Sequence, residues 1–249
     1  MIRMVFLKHC YTGLLVIIII SMILPGSTGD EPDTAQGWIA LATQNYSDQD
    51  YPGALEAAEE AILLIPEWEG AWNVKSAALR HLDRNEEALI AAEKAININK
   101  SYSAPWFNKG EALLNLGQYE DALSAYETSI QLNDKYSNAW FGMSTVLINL
   151  GRYEAALKAA TEAISLKNTL QGAWVNKANA CIGLERYEEA LAASEQAIIL
   201  EKTDPGAWIN KANALIGLNK NKEALIAAEK ALSLDDNSVS GWNNKATTL

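Results

Sequence analysis

Residues 171–204 read QGAWVNKANACIGLERYEEALAASEQAIILEKTD, and residues 205–238 read PGAWINKANALIGLNKNKEALIAAEKALSLDDNS. Laid one above the other, they set Trp174 on Trp208, Lys177 on Lys211, Ala190 on Ala224 and Leu191 on Leu225. The register extends both ways: Trp38, Trp72, Trp106, Trp140, Trp174, Trp208 and Trp242 follow one another at 34 residues without a slip. A unit of that length is a helix pair that cannot bury its apolar face alone and gains a core by stacking on copies of itself.

Positions counted from each tryptophan show the helical period. Sixteen residues on stands alanine (Ala54, Ala88, Ala122, Ala156, Ala190, Ala224), and the next residue is leucine (Leu55, Leu89, Leu123, Leu157, Leu191, Leu225). With Ala61, Ala95, Ser129, Ala163, Ala197 and Ala231 seven residues beyond those alanines, they draw one stripe along a second helix. The first helix carries its own stripe, exemplified by Trp174, Ala178 and Cys181. Turns such as Leu116-Gly117-Gln118-Tyr119 and Leu150-Gly151-Arg152-Tyr153 separate the two helices, with glycine supplying the left-handed conformation that ends the first.

Trp, Leu-Gly, Tyr and Ala at these offsets resemble the tetratricopeptide repeat (TPR) family, and starts such as WFNKG, WVNKA, WINKA and WNNKA resemble its long prokaryotic members. The resemblance implies a right-handed solenoid of antiparallel helix pairs: six full repeats (35–68, 69–102, 103–136, 137–170, 171–204, 205–238) and a capping helix or partial seventh repeat at 239–249. Departures from the family pattern are regular. Lysine (Lys75, Lys109, Lys177, Lys211, Lys245) replaces the leucine three residues after the Trp, and its stem can lie on apolar surface while the ammonium reaches water. The family phenylalanine of the second helix is mostly alanine, with Tyr126 the single aromatic, and the terminal proline survives as Pro66.

The N-terminus is a different kind of sequence. Arg3 and Lys8 precede an apolar stretch from Leu14 to Leu24; Pro25-Gly26 breaks it, and Ser27-Thr28-Gly29 offers small residues for cleavage. Residues 1–29 read as a secretory signal peptide or an N-terminal membrane anchor, with 30–34 as linker. Either places the repeats outside the cytoplasm, secreted or anchored, because the positive flank stays inside. Translation from Met22 would instead remove the leader and leave a cytoplasmic protein.

Arg3 and Lys8 are the only charged residues of that leader, so the remainder holds 18 of the 20 basic residues and all 31 acidic ones. Such an acidic chain excludes nucleic acid as an expected partner, since affinity there rests on Lys and Arg neutralising phosphates. Cys10 and Cys181 are the only cysteines, so the chain beyond the leader cannot form an internal disulfide; Cys181 reads as a small buried hydrophobe. His9 and His81 are the only histidines, too few for a His-based metal site or a local nucleophile–His set, and there is no phosphate-binding glycine loop. No catalytic residue, metal or cofactor is expected, and the protein reads as a non-enzymatic interaction scaffold.

The resemblance places one face of the first helices in a concave groove. In units three to six that face carries Phe107, Leu114, Phe141, Ile148, Val175, Ile182, Ile209 and Ile216, with amides at Asn108, Asn176, Asn179, Asn210 and Asn213 and a carboxylate at Glu111. Apolar pockets beside side-chain amides suit a peptide or partner protein, whose side chains want burial and whose backbone wants hydrogen bonds. First helices also pack on their neighbours, so groove and core are alternative locations for the apolar stripe, and a bond between repeats is the alternative role for the asparagines. The face lacks the Lys/Arg set with which some family members grip a terminal carboxylate, and Glu111 would repel one. Self-assembly is the competing function, with glycan binding or catalysis behind it. Trp242, Ala246 and Leu249 are expected to face the sixth unit with Asn244 in water, and Trp68 to fill the seam between units one and two.

Overall fold

The computed structural model describes residues 32–248, so the leader with its signal-or-anchor reading, and Leu249, lie outside the described residues. The chain runs α1 (Ala35–Ser47), α2 (Tyr51–Leu64), α3 (Glu69–His81), α4 (Asn85–Ile98), α5 (Ser103–Asn115), α6 (Tyr119–Leu132), α7 (Ser137–Asn149), α8 (Tyr153–Leu166), α9 (Gln171–Gly183), α10 (Tyr187–Leu200), α11 (Pro205–Gly217), α12 (Asn221–Leu234) and α13 (Val239–Thr247). It is an all-α solenoid: odd-numbered first helices and even-numbered second helices pair within each unit, and each second helix packs on the next unit's first. Successive first helices also touch one another while successive second helices do not, so the stack curves with its first helices on the inner face.

Local chemistry sets the helix ends. Thr34, Asp50, Asp204 and Ser238 accept hydrogen bonds from backbone N–H groups of Gly37, Gly53, Gly206 and Gly241, satisfying orphan donors of the first turn. Gly117 and Gly151 adopt φ of 73° and 69° between paired helices, as the sequence predicts. The other four turns reach the same conformation without glycine, through Gln49, Asp83, Glu185 and Asn219 at φ of 58–64°. Gly183 and Gly217 instead end α9 and α11 beneath tyrosine rings; an added Cβ would lie 2.6 Å from Tyr153 and 2.4 Å from Tyr187.

The core is built from alanine, which lets the helices approach closely: Ala54, Ala88, Ala122, Ala156, Ala190 and Ala224 are all fully buried. Tyr126 is the largest fully buried side chain. Its ring occupies the space left by Gly110 on α5 and Gly142 on α7, where added Cβ atoms would lie 2.8 and 2.5 Å from it.

The register tryptophans hold the loops between units. The indole N–H of Trp72, Trp106, Trp140, Trp174, Trp208 and Trp242 donates to the carbonyl six residues earlier, on Pro66, Lys100, Asp134, Asn168, Lys202 and Asp236, at 2.8–3.1 Å. The unusual lysines complete this device. Each lies over its own tryptophan, 5.4–5.9 Å from the ring centroid. Four also reach back to a carboxylate on the preceding second helix: Lys75–Glu59, Lys109–Glu93, Lys211–Glu195 and Lys245–Glu229, at 2.7–2.9 Å.

Two expectations are corrected. On α13, Trp242 is 54% exposed and Ala246 is exposed, whereas Asn244 is buried and donates to the Ile209 carbonyl. The Trp–Ala face of a first helix is covered by the second helix of its own unit, and among the described residues none follows α13. Trp68 is half-buried, its indole over Gly70, and lines a surface cavity with Asn99, Ser101 and Tyr102 rather than filling the first seam.

Candidate functional site: the inner face of the first helices

The expected groove residues separate into two groups. Asn108, Asn176 and Asn210 are buried and bonded to the preceding unit. Asn108 donates to the Asn73 carbonyl and side-chain oxygen (3.3 and 2.9 Å), Asn176 to the hydroxyls of Ser144 and Thr145 (both 2.8 Å), and Asn210 to the Val175 carbonyl (3.2 Å). These asparagines are struts between neighbouring first helices, and each commits at least one amide hydrogen to that role. A buried amide must be satisfied inside the protein, which explains why this residue recurs despite its low helix propensity. Asn179 and Asn213, one turn further along, are half-buried on the inner face.

The apolar stripe is half-buried throughout. Phe107, Leu114 and Ile148 pack against the cluster around Tyr126, Leu113 and Val146; Ile182 packs on Cys181, Ala190 and Ala214; Ile216 packs on Leu215 and Ala212. Phe141 lies over Gly172, where an added Cβ would meet its ring at 2.8 Å, and Val175 and Ile209 are likewise half-buried. Each side chain is therefore partly covered by the core and partly open to solvent. At the positions expected to face the groove in units four to six there are Phe141, Thr145, Ile148, Val175, Asn179, Ile182, Ile209, Asn213 and Ile216, with no charged residue among them.

Units one to three differ, and the sequence reading missed what they assemble. The His81 ring stacks on Tyr51 (4.1 Å, 4° between planes), and its Nε2 lies 3.0 Å from both the Tyr46 hydroxyl and the Arg80 guanidinium. An arginine only donates, so His81 is held as the neutral imidazole. Burial, with the Arg80 charge adding to it, pushes its pKa down from the usual value. Arg80 also lies 3.5 Å from Glu111, whose other oxygen accepts from the buried Tyr126 hydroxyl at 2.6 Å. Glu111, expected as a free groove carboxylate, is thus balanced by a cation and fixed by a phenol. Burial raises the Tyr136 phenol to about 12, with the Glu111 charge as the next cause, and its ring sits 5.0 Å from Phe107. His81 and Arg80, one turn from Ser76 on α3, are visible in the sequence; the tyrosines reach them only once the units stack.

Among the described residues, no group of three or more His, Cys, Asp or Glu could hold a metal ion. Cys181 is fully buried, and burial raises its thiol pKa, keeping it protonated. No helix of the described residues is long and apolar enough to cross a membrane.

An inner face lined by seven first helices, with conserved geometry but varied side chains, defines a helical-repeat binding array. Models of the tetratricopeptide repeat match residues 69–102, 107–169, 172–204 and 205–238, and the chain belongs to that family. Its fold is similar to a chain of the APC/C hetero-tetramer Cut9-Hcn1 (TM-score 0.79, 17% identity), covering 88% of this chain and 44% of that one. It is also similar to YrrB, described as a TPR protein with an unusual peptide-binding site (TM-score 0.64, 19% identity, 78% of this chain and 100% of that one). A TPR protein from Parabacteroides merdae aligns with a TM-score of 0.65 at 18% identity, over 86% of this chain and 85% of its own. No curated protein matches the chain.

Proposed function

We propose that this array is a non-catalytic scaffold that takes an extended peptide or a partner helix along the inner face of units three to six. The observation that carries this reading is the uncharged row from Phe141 to Ile216: half-buried apolar edges alternating with the half-buried amides of Asn179 and Asn213. Such a surface buries a ligand's apolar side chains while offering hydrogen bonds to its backbone. The peptide-binding site described for YrrB supports it by analogy of fold. We further propose an extracytoplasmic location, secreted or anchored, on the charge and hydropathy pattern of residues 1–29.

The test is a photo-cross-linking residue at Asn179 in the full-length protein, expressed in its native cells. Cross-linking to one distinct polypeptide, competed by that polypeptide's own peptide fragment, supports the groove. Capture of the protein's own copies would favour self-assembly, for which the exposed Val239 and Trp242 of α13 provide a surface, and would overturn the reading. The N-terminal peptide recovered in the same experiment shows whether residues 1–29 persist.

A further inference from the structure

Six seams join the seven first helices, and two devices recur at them. One is the asparagine strut two residues after the tryptophan: Asn108, Asn176, Asn210 and Asn244 each bond to the preceding first helix. The other is the lysine latch one residue further on, from Lys75, Lys109, Lys211 and Lys245 to the preceding second helix. The first seam has a latch without a strut, because Val74 stands at the strut position. The fourth has a strut without a latch, because Thr161 stands where Lys177 would find a glutamate. The second, fifth and sixth have both.

The third seam, between units three and four, has neither. Its sequence there is Trp140-Phe141-Gly142-Met143: glycine replaces the strut and methionine the latch, leaving Glu127 without its lysine. Gly142 cannot be otherwise, since the Tyr126 ring fills the space of a strut. The approach of the helix backbones agrees with the missing bonds, while apolar side chains pack across the seam through Leu123, Tyr126, Val146 and Leu147. α5 and α7 touch least of all successive first helices, and α6 and α7 touch less than the four other second-to-first pairs that join two full repeats. Besides the Trp140–Asp134 loop bond, which has a counterpart at every seam, one polar tie remains among the described residues, Arg152–Glu120 at 2.8 Å, at the edge next to the helix turns and largely exposed to solvent.

We propose that this third seam is the pivot of the array. Units one to three and units four to seven move as two blocks about it, with the Tyr126 ring as an apolar fulcrum, Arg152–Glu120 as the pin and the Trp140 edge held only by its own loop bond to the Asp134 carbonyl. An apolar ring against two glycines offers contact without direction, so small rotations strain no hydrogen bond between the first helices, whereas at a strutted seam they do. The pivot lies between Phe107 and Phe141, so rotation changes the gap between the first and second apolar steps of the inner face. This inference concerns the free protein and does not depend on what the groove binds.

Pulsed electron spin distance measurements on the full-length chain test it. Glu86, Glu154 and Lys222 occupy equivalent exposed positions in units two, four and six. In a Cys10→Ser, Cys181→Ala background, spin labels at 86 and 154 span the second and third seams, and labels at 154 and 222 span the fourth and fifth. The expected result is a broader distance distribution for 86–154 than for 154–222. Met143→Lys, which gives Glu127 its lysine, should narrow the first. Asn210→Gly with Lys211→Met, which transplants the Gly-Met pair to the fifth seam, should broaden the second. Equal widths in the parent chain, or widths that ignore both changes, would overturn the pivot.

Discussion

Tyr126→Ala lowers the stability of the array by about 3–5 kcal/mol and splits its unfolding into two transitions. The ring is fully buried between α5 and α7, against Gly110 and Gly142, and neither glycine has a side chain that could relax into the cavity. Its hydroxyl also donates to Glu111 at 2.6 Å, so the substitution leaves a partly buried carboxylate with only the longer Arg80 contact. In a solenoid, stability is a sum of repeat terms and nearest-neighbour interfaces, so damage at one seam uncouples the blocks on either side. Because the third seam has no strut or latch to share the load, the uncoupling should be visible as a biphasic urea curve by circular dichroism. Tyr126→Phe, which keeps the ring, should retain a single transition and lose about 1 kcal/mol. A monophasic Tyr126→Ala curve close to the parent's would show that the ring does not join the blocks.

Ile182→Asp weakens partner capture roughly a hundredfold, which is about 3 kcal/mol of binding free energy. Ile182 is the central apolar step of the uncharged row, half-buried between the Cys181–Ala190–Ala214 cluster and the groove. A carboxylate there must be desolvated when a ligand covers it, with no cation on the inner face of units four to six to pair with. Ile226→Asp is the matched control, since Ile226 is 67% exposed on the second helix α12. It adds the same charge to an already acidic chain and should leave capture unchanged. Equal loss from both substitutions would assign the effect to net charge; no loss from Ile182→Asp would place the ligand elsewhere.

Period and helix pairing were legible because they depend on residues within one unit. Trp38 through Trp242 at a fixed spacing, with Ala-Leu sixteen and seventeen residues later, suffices to define two amphipathic helices and their stacking face. Which side of a first helix is groove and which is seam depends on distances between units, and no helical period encodes those. The asparagines show the difficulty: Asn176 and Asn179 are one turn apart and read alike, yet the first is buried against Ser144 and Thr145 and the second is half-buried on the inner face. The lysine latch was present as a constant separation of 16 residues, Glu59 to Lys75 and Glu93 to Lys109, but that is no neighbour spacing on a helix, so only stacking reveals it. The Tyr126 fulcrum had a sequence signal as well. The one aromatic at its position coincides with glycine at 110 and 142, large against small across a seam, and the two are read together only once α5 and α7 are known to be neighbours.

Alanine-based cores make such arrays regular, and departures from regularity then stand out as local function. Units one to three carry Arg80, His81 and Glu111 at the positions expected to face the groove, with Tyr46, Tyr51 and the buried Tyr126 in contact with them, while units four to six have no charge at those positions. A ligand spanning the whole groove would meet a polar end and an apolar end, which fixes its direction.

Hydrogen–deuterium exchange of the full-length protein, alone and with the partner recovered by cross-linking, tests the binding face most directly. Slowed exchange along α5, α7, α9 and α11, with the second helices unchanged, is the expected result. Slowing confined to α6, α8, α10 and α12, or to α13, would contradict the inner-face site.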